Sequence, residues 1–104
     1  MIILTDKAKS DFGFWLFQRR ASVEEQANFR KLSETAKYAI IIEWFDSVGI
    51  YIGVGSYDNY HKIDFAFNIV KFDGEHDSFD CGFEDRIKAT KESIIVANEL
   101  YNKR

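Results

Sequence analysis

The hydrophobic period of this chain changes from helical to alternating near residue 50 and returns to helical after residue 83, and few folds accept that order. Ile50, Ile52 and Val54 fall on one strand face, and Ile63, Phe65, Phe67 and Ile69 fall on another, with Lys62, Asp64 and Asn68 opposite. A period of two belongs to a strand whose side chains point alternately to the two faces of a sheet. The runs flank Tyr57-Asp58-Asn59-Tyr60, whose central Asp-Asn tolerates the positive φ of tight hairpin turns, so an antiparallel hairpin is expected. A polar turn at Asp73-Gly74-Glu75-His76-Asp77 then leads to a short third strand carrying Phe79 and Cys81.

Helical spacing surrounds this sheet. Thr5 is a candidate N-cap for a helix to about Arg20, on which Ala8, Phe12, Trp15 and Leu16 form the apolar stripe; Gly13 weakens it, and Phe14 and Phe17 lie off it. Ser22-Val23-Glu24-Glu25 has the form of a capping box and predicts a second helix. Ser33 predicts a third over 33–48, with Ala36, Ala39, Ile40, Trp44 and Val48 at helical spacing and Gly49 as its stop. The run Tyr38 to Phe45 also reads as a β-branched and aromatic strand, a choice that periodicity leaves open. Phe83, Ile87, Thr90, Ile94, Ala97 and Tyr101 predict a final helix laid on the sheet. The expected fold class is α+β, in the order ααα-βββ-α: N-terminal helices, a three-stranded antiparallel sheet and a C-terminal helix packed on it. The alternative has four strands, with 38–45 as one of them.

No linker-like or repetitive stretch interrupts the 104 residues, so a single domain over 1–104 is expected. A content of 46% hydrophobic residues, with ten Phe, five Tyr and two Trp, excludes intrinsic disorder. A formal charge of −3 removes the basic excess expected of a whole-surface nucleic-acid binder. Cys81 is the sole cysteine, which rules out an internal disulfide or a cysteine-rich zinc site and predicts a cytoplasmic setting. The opening Met1–Lys7 lacks the form of a signal peptide, and the longest apolar run falls far short of the ~20 residues of a membrane helix, so a soluble protein without membrane contact is expected.

Chemical motifs are sparse. Asp73, Glu75, Asp77 and Glu84 fall at positions 1, 3, 5 and 12 of an EF-hand frame, but Ser78 stands where the turn needs Gly and a strand precedes the loop. Cys81 with His76 or His61 would be a thiol and its base, yet no nucleophile signature surrounds it, and alternation with Phe79 reads as an inert buried cysteine. Gly53-Val54-Gly55 is followed by a strand where a phosphate loop needs a helix. Lys62 to Phe67 is similar to a base-stacking RNA strand, but Phe65 and Phe67 read more simply as core. No catalytic residue, metal or cofactor is expected.

Surface features point to a partner. Residues 56–85 carry Lys62 and Lys71 against eight acids, whereas 86–104 carry five bases against Glu92 and Glu99. The aromatics exceed what so small a core accommodates, and aromatic anchors dominate binding energy at interfaces. The string Trp44-Phe45-Asp46-Ser47-Val48-Gly49-Ile50-Tyr51-Ile52 resembles a group of small uncharacterised phage and prophage proteins. So do the opening Asp6-Lys7-Ala8-Lys9 with Asp11, Phe12 and Trp15, and the closing Ala97-Asn98-Glu99-Leu100-Tyr101-Asn102. That resemblance transfers no catalytic residue. It implies a phage or mobile-element protein that binds a host component, anti-CRISPR proteins being a prominent class of such proteins.

The expectation is therefore a non-enzymatic interaction protein that inhibits or alters a host nucleic-acid-processing defence complex, with an RNA-guided effector as target. Two modes are open. Asp73, Glu75, Asp77, Asp80, Glu84 and Asp85 would meet a basic channel, or Trp15, Phe17, Tyr57 and Tyr60 would anchor an apolar contact. The alternative is a single-stranded RNA or DNA binder using strand aromatics, with Arg86, Lys88, Lys91, Lys103 and Arg104 on phosphates. Either a monomer or a homodimer fits.

Overall fold

A computed structural model describes residues 3–20 and 28–104. The order is α1 (Asp6–Arg20), α2 (Glu34–Ser47), β1 (Ile50–Asp58), β2 (Ile63–Lys71), β3 (His76–Phe83) and α3 (Arg86–Asn102), with a further helical turn at 28–31. The fold is α+β with a three-stranded antiparallel sheet in the order β1-β2-β3, as expected. The capping box at Ser22 lies outside the described residues.

The choice left open at 38–45 resolves to helix. Ser33 accepts a bond from the Ala36 amide at 3.3 Å and so starts α2, and Gly49 takes φ +80 just beyond its end. The buried stripe is Tyr38, Ile41, Trp44 and Phe45. It replaces the expected Ala36-Ala39-Ile40-Trp44-Val48 stripe because the larger rings take the core and leave Ala39 in solvent. Trp44 sits between Phe12 of α1 and Tyr101 of α3, with ring centroids 5.7 and 4.8 Å away, and its truncation to Ala removes about 3–5 kcal/mol.

Two helices cover one sheet face. Ile50, Phe67 and Ile69 are buried there with Ile94 and Ala97, and Ile52, Val54 and Phe83 pack against them. The final helix begins later than its expected stripe, because Asp85 is its N-cap and Phe83 ends β3. Its buried side is Ala89, Ser93, Ile94, Ala97, Asn98 and Tyr101, while Ile87 is exposed. Ile63, expected beside Phe67 and Ile69, is also exposed, at the far end of β2.

The hairpin turn is displaced from its expected centre. Asp58 still pairs with Ile63, and the turn residues are Tyr60 and His61, at φ 51 and 70, closed by reciprocal Asn59 and Lys62 backbone bonds. Two consecutive left-handed residues match the twist of the strands; His61 is among the side chains that enter that region more readily, whereas Tyr60 is not. The third strand is longer than expected and irregular, with register shifts against β2 on either side of its middle and Gly82 at φ +87 in one of them.

The start of α1 is satisfied by α3. Thr5 precedes the helix as expected, but its hydroxyl does not take the usual capping bond. The Ala8 amide donates instead to Asn102 Oδ1 at 2.7 Å, and Asn102 Nδ2 donates to the Thr5 carbonyl at 3.0 Å. Asn98 exchanges two more bonds with Thr5, at 2.9 and 3.1 Å. One turn further, the Tyr101 hydroxyl donates to Asp11 Oδ2 at 2.5 Å.

Candidate functional site: the uncovered sheet face

Among the described residues, the helices cover only one side of the sheet. Strand pairing puts Gly53 opposite Asn68, Gly55 opposite Ala66 and Tyr57 opposite Asp64 on the other side, and Asn68 opposite Phe79. The two glycines and Ala66 form a low floor between Tyr57 and Phe79, a shallow trough of about 330 Å³. Phe79 is 69% exposed and Tyr51, on the same face, 45%. A Cβ at Gly53 would lie 2.5 Å from Asn68 Oδ1, so any larger residue there would have to displace the Asn68 amide. Aromatic walls on a small-residue floor, carried by paired strands, make a rigid surface suited to receiving a flat or apolar group.

At the hairpin end of this face lies a polar cluster. Asp64 is buried, with Oδ2 accepting from Asn59 Nδ2 at 2.8 Å and Oδ1 lying 3.6 Å from Lys62 Nζ without a hydrogen bond. Burial, then the hydrogen-bonded Cys81 thiol and the Asp64 carboxylate, push the Tyr57 hydroxyl above the usual phenol range; a backbone contact at Gly82 opposes them. Cys81 is exposed, not buried as expected, in a strand that buries none of its residues. Its neighbour is thus Tyr57, whereas His76 stands five residues away at the other end of β3.

The expected acidic set does not form one patch. Asp73 and Glu75 belong to the β2–β3 turn, and Glu84 and Asp85 to the opposite end of β3, which is about 25 Å long at strand rise. Most of these carboxylates have local work. Asp73 accepts from the Glu75 amide at 3.0 Å, Asp77 lies 3.7 Å from Lys71, and Asp80 accepts from the Cys81 amide at 2.8 Å. Glu84 pairs with Lys88 at 2.9 Å, raising the lysine pKa, and Asp85 caps α3. Among the described residues, no group of three His, Cys, Asp or Glu is placed to hold a metal.

The aromatic set divides as well. Tyr57 and the fully exposed Tyr60 stand at the hairpin end, beside the start of α3, where Arg86 lies over Phe65 at 5.2 Å. Trp15, half-buried against Phe12, and exposed Phe17 belong to α1, which meets the last turns of α3. A 17-residue helix, about 25 Å long, separates the two pairs. Of the bases on α3, Arg86 and Lys88 lie in its first turn and Lys103 and Arg104 beyond its end, and Arg104 donates to the Val48 carbonyl at 2.8 Å.

The trough escaped sequence reading, since Phe79 was placed only by alternation and the glycines only by crowding. Phe67 and Ile69 are in the core as expected, and Phe65 is half-buried beneath Arg86. No helix among the described residues is long and apolar enough to cross a membrane. Comparisons with family models, with curated proteins and with solved structures find no match to the chain.

Proposed function

We propose that this chain is a non-enzymatic interaction protein that docks its uncovered sheet face on a partner macromolecule. The observation carrying this reading is the trough between Tyr57 and Phe79, with exposed Tyr51 beside it, on a face over which no described helix lies. Large rings on rigid strands lose little side-chain entropy on binding, which is how interface anchors act. The choice of partner, a host nucleic-acid-processing defence complex such as an RNA-guided effector, rests on the resemblance to phage proteins. In this reading the partner is held by apolar contact, and the dispersed carboxylates set orientation, so binding tolerates salt.

The test is affinity purification of the tagged chain from a host carrying CRISPR systems, with and without nuclease, beside the variants Tyr57→Ala/Phe79→Ala and Phe14→Ser/Phe17→Ser. The expected result is a stoichiometric, nuclease-resistant partner that the trough variant loses and the α1 variant retains. A partner kept by the trough variant overturns the docking face. Recovery of nuclease-sensitive RNA alone turns the reading to the single-strand binder, for which the aromatic sheet face also argues.

A further inference from the structure

A second concavity lies away from the sheet face, between α1, the turn at 28–31 and α2. Leu4, Phe12, Phe29 and Ile41 line it with Ile3 and Tyr38, around about 450 Å³, within the ~300–1,000 Å³ of small-molecule sites. Its only charged lining residues among those described are cations: Lys9, Arg30 and Lys37. None of the three enters an ion pair among the described residues. Glu34, whose carboxylate adds to burial in raising the Tyr38 pKa, stands a turn earlier on α2 and does not line the cavity. Three cations and no described anion lining one cavity give it a positive potential.

Gly13 is the second observation. It lies inside α1, where glycine costs about 0.5–1 kcal/mol against alanine, yet a Cβ added there meets nothing within 4 Å. Close packing therefore does not require it. It lines the cavity, and any larger residue would narrow the opening.

We propose that this cavity binds an amphipathic carboxylate, a flexible hydrocarbon chain against Leu4, Phe12, Phe29 and Ile41 with its anionic head among Lys9, Arg30 and Lys37. The apolar walls exclude a purely polar anion, and the one-signed rim selects a carboxylate over an alcohol or an amine of equal chain length. The proposal is independent of the sheet face.

The test titrates the full chain with decanoate, decanol and decyltrimethylammonium below their micelle concentrations, by calorimetry and thermal denaturation. One decanoate per chain is expected, raising the Tm, with decanol at least tenfold weaker and the cation silent. Arg30→Glu/Lys37→Glu should weaken decanoate at least tenfold while leaving the Tm of the free protein nearly unchanged. Gly13→Leu, a better helix former, should block decanoate without loss of fold. Absence of decanoate binding, equal affinity for decanol, many weak sites with a falling Tm, or indifference to charge reversal would each overturn the proposal.

Discussion

Asn102 shows how much one side chain can organise. Its amide supplies both an acceptor for the Ala8 N–H and a donor for the Thr5 carbonyl, so it does for α1 what a local cap normally does. Asn102→Ala should lower stability by about 1–2 kcal/mol, read as a shift of the urea midpoint. Beside it, Tyr101 carries a pKa pushed up to about 12, by burial first and then by its bond to the Asp11 carboxylate, against the opposing charge of Arg104. The folded value exceeds the ordinary phenol value of 10.0, so this stabilisation is intact below pH 10 and fades as pH climbs toward about 12. An ultraviolet titration should show one phenol ionising last, absent in Tyr101→Phe, and the urea midpoint of that variant should fall less steeply over the same interval. None of this was legible in the sequence: Asn98 and Asn102 are ordinary polar residues of a helix until Thr5 is seen against them.

Among the elements, those coded by neighbours in the chain were the ones read correctly. Ser33 starting α2, the alternation of Ile50, Ile52 and Val54 in β1 and the α1 stripe of Ala8, Phe12 and Leu16 all follow from local spacing. What failed was set by distant partners, as when the rings of α1 and α3 selected which side of α2 is buried, or when packing left every residue of β3, Cys81 included, short of burial. The hairpin turn failed for another reason, since register from the strand pairs placed His61 and the bulkier Tyr60, which does not favour it, in left-handed conformations. Replacing Tyr60-His61 by Asn-Gly should raise stability by about 1 kcal/mol in thermal denaturation. The acidic set can be sorted in the same way. Asp85→Ala should cost about 1 kcal/mol as the lost cap of α3, whereas Asp77→Ala and Glu84→Ala should each stay within about 0.5 kcal/mol.

The whole molecule is long and thin, 48 × 31 × 18 Å, with a Cα radius of gyration of 14.5 Å against the ~13 Å usual for this length. Solution scattering should report that elongation for a single copy; pairing through the uncovered sheet faces would thicken the shortest dimension and raise the radius. The elongation also keeps the trough at the hairpin end remote from the exposed rings of α1, and no linear pattern in the sequence announces that separation. The stitch between residues 5–11 and 98–102 has a further consequence during synthesis. A ribosome delivers α1 long before it delivers Asn98, Tyr101 and Asn102, so until those residues emerge this helix lacks its cap and its tyrosine. Phe12 and Leu16 wait uncovered on the nascent chain, and the interval before α3 emerges is when a chaperone would find them.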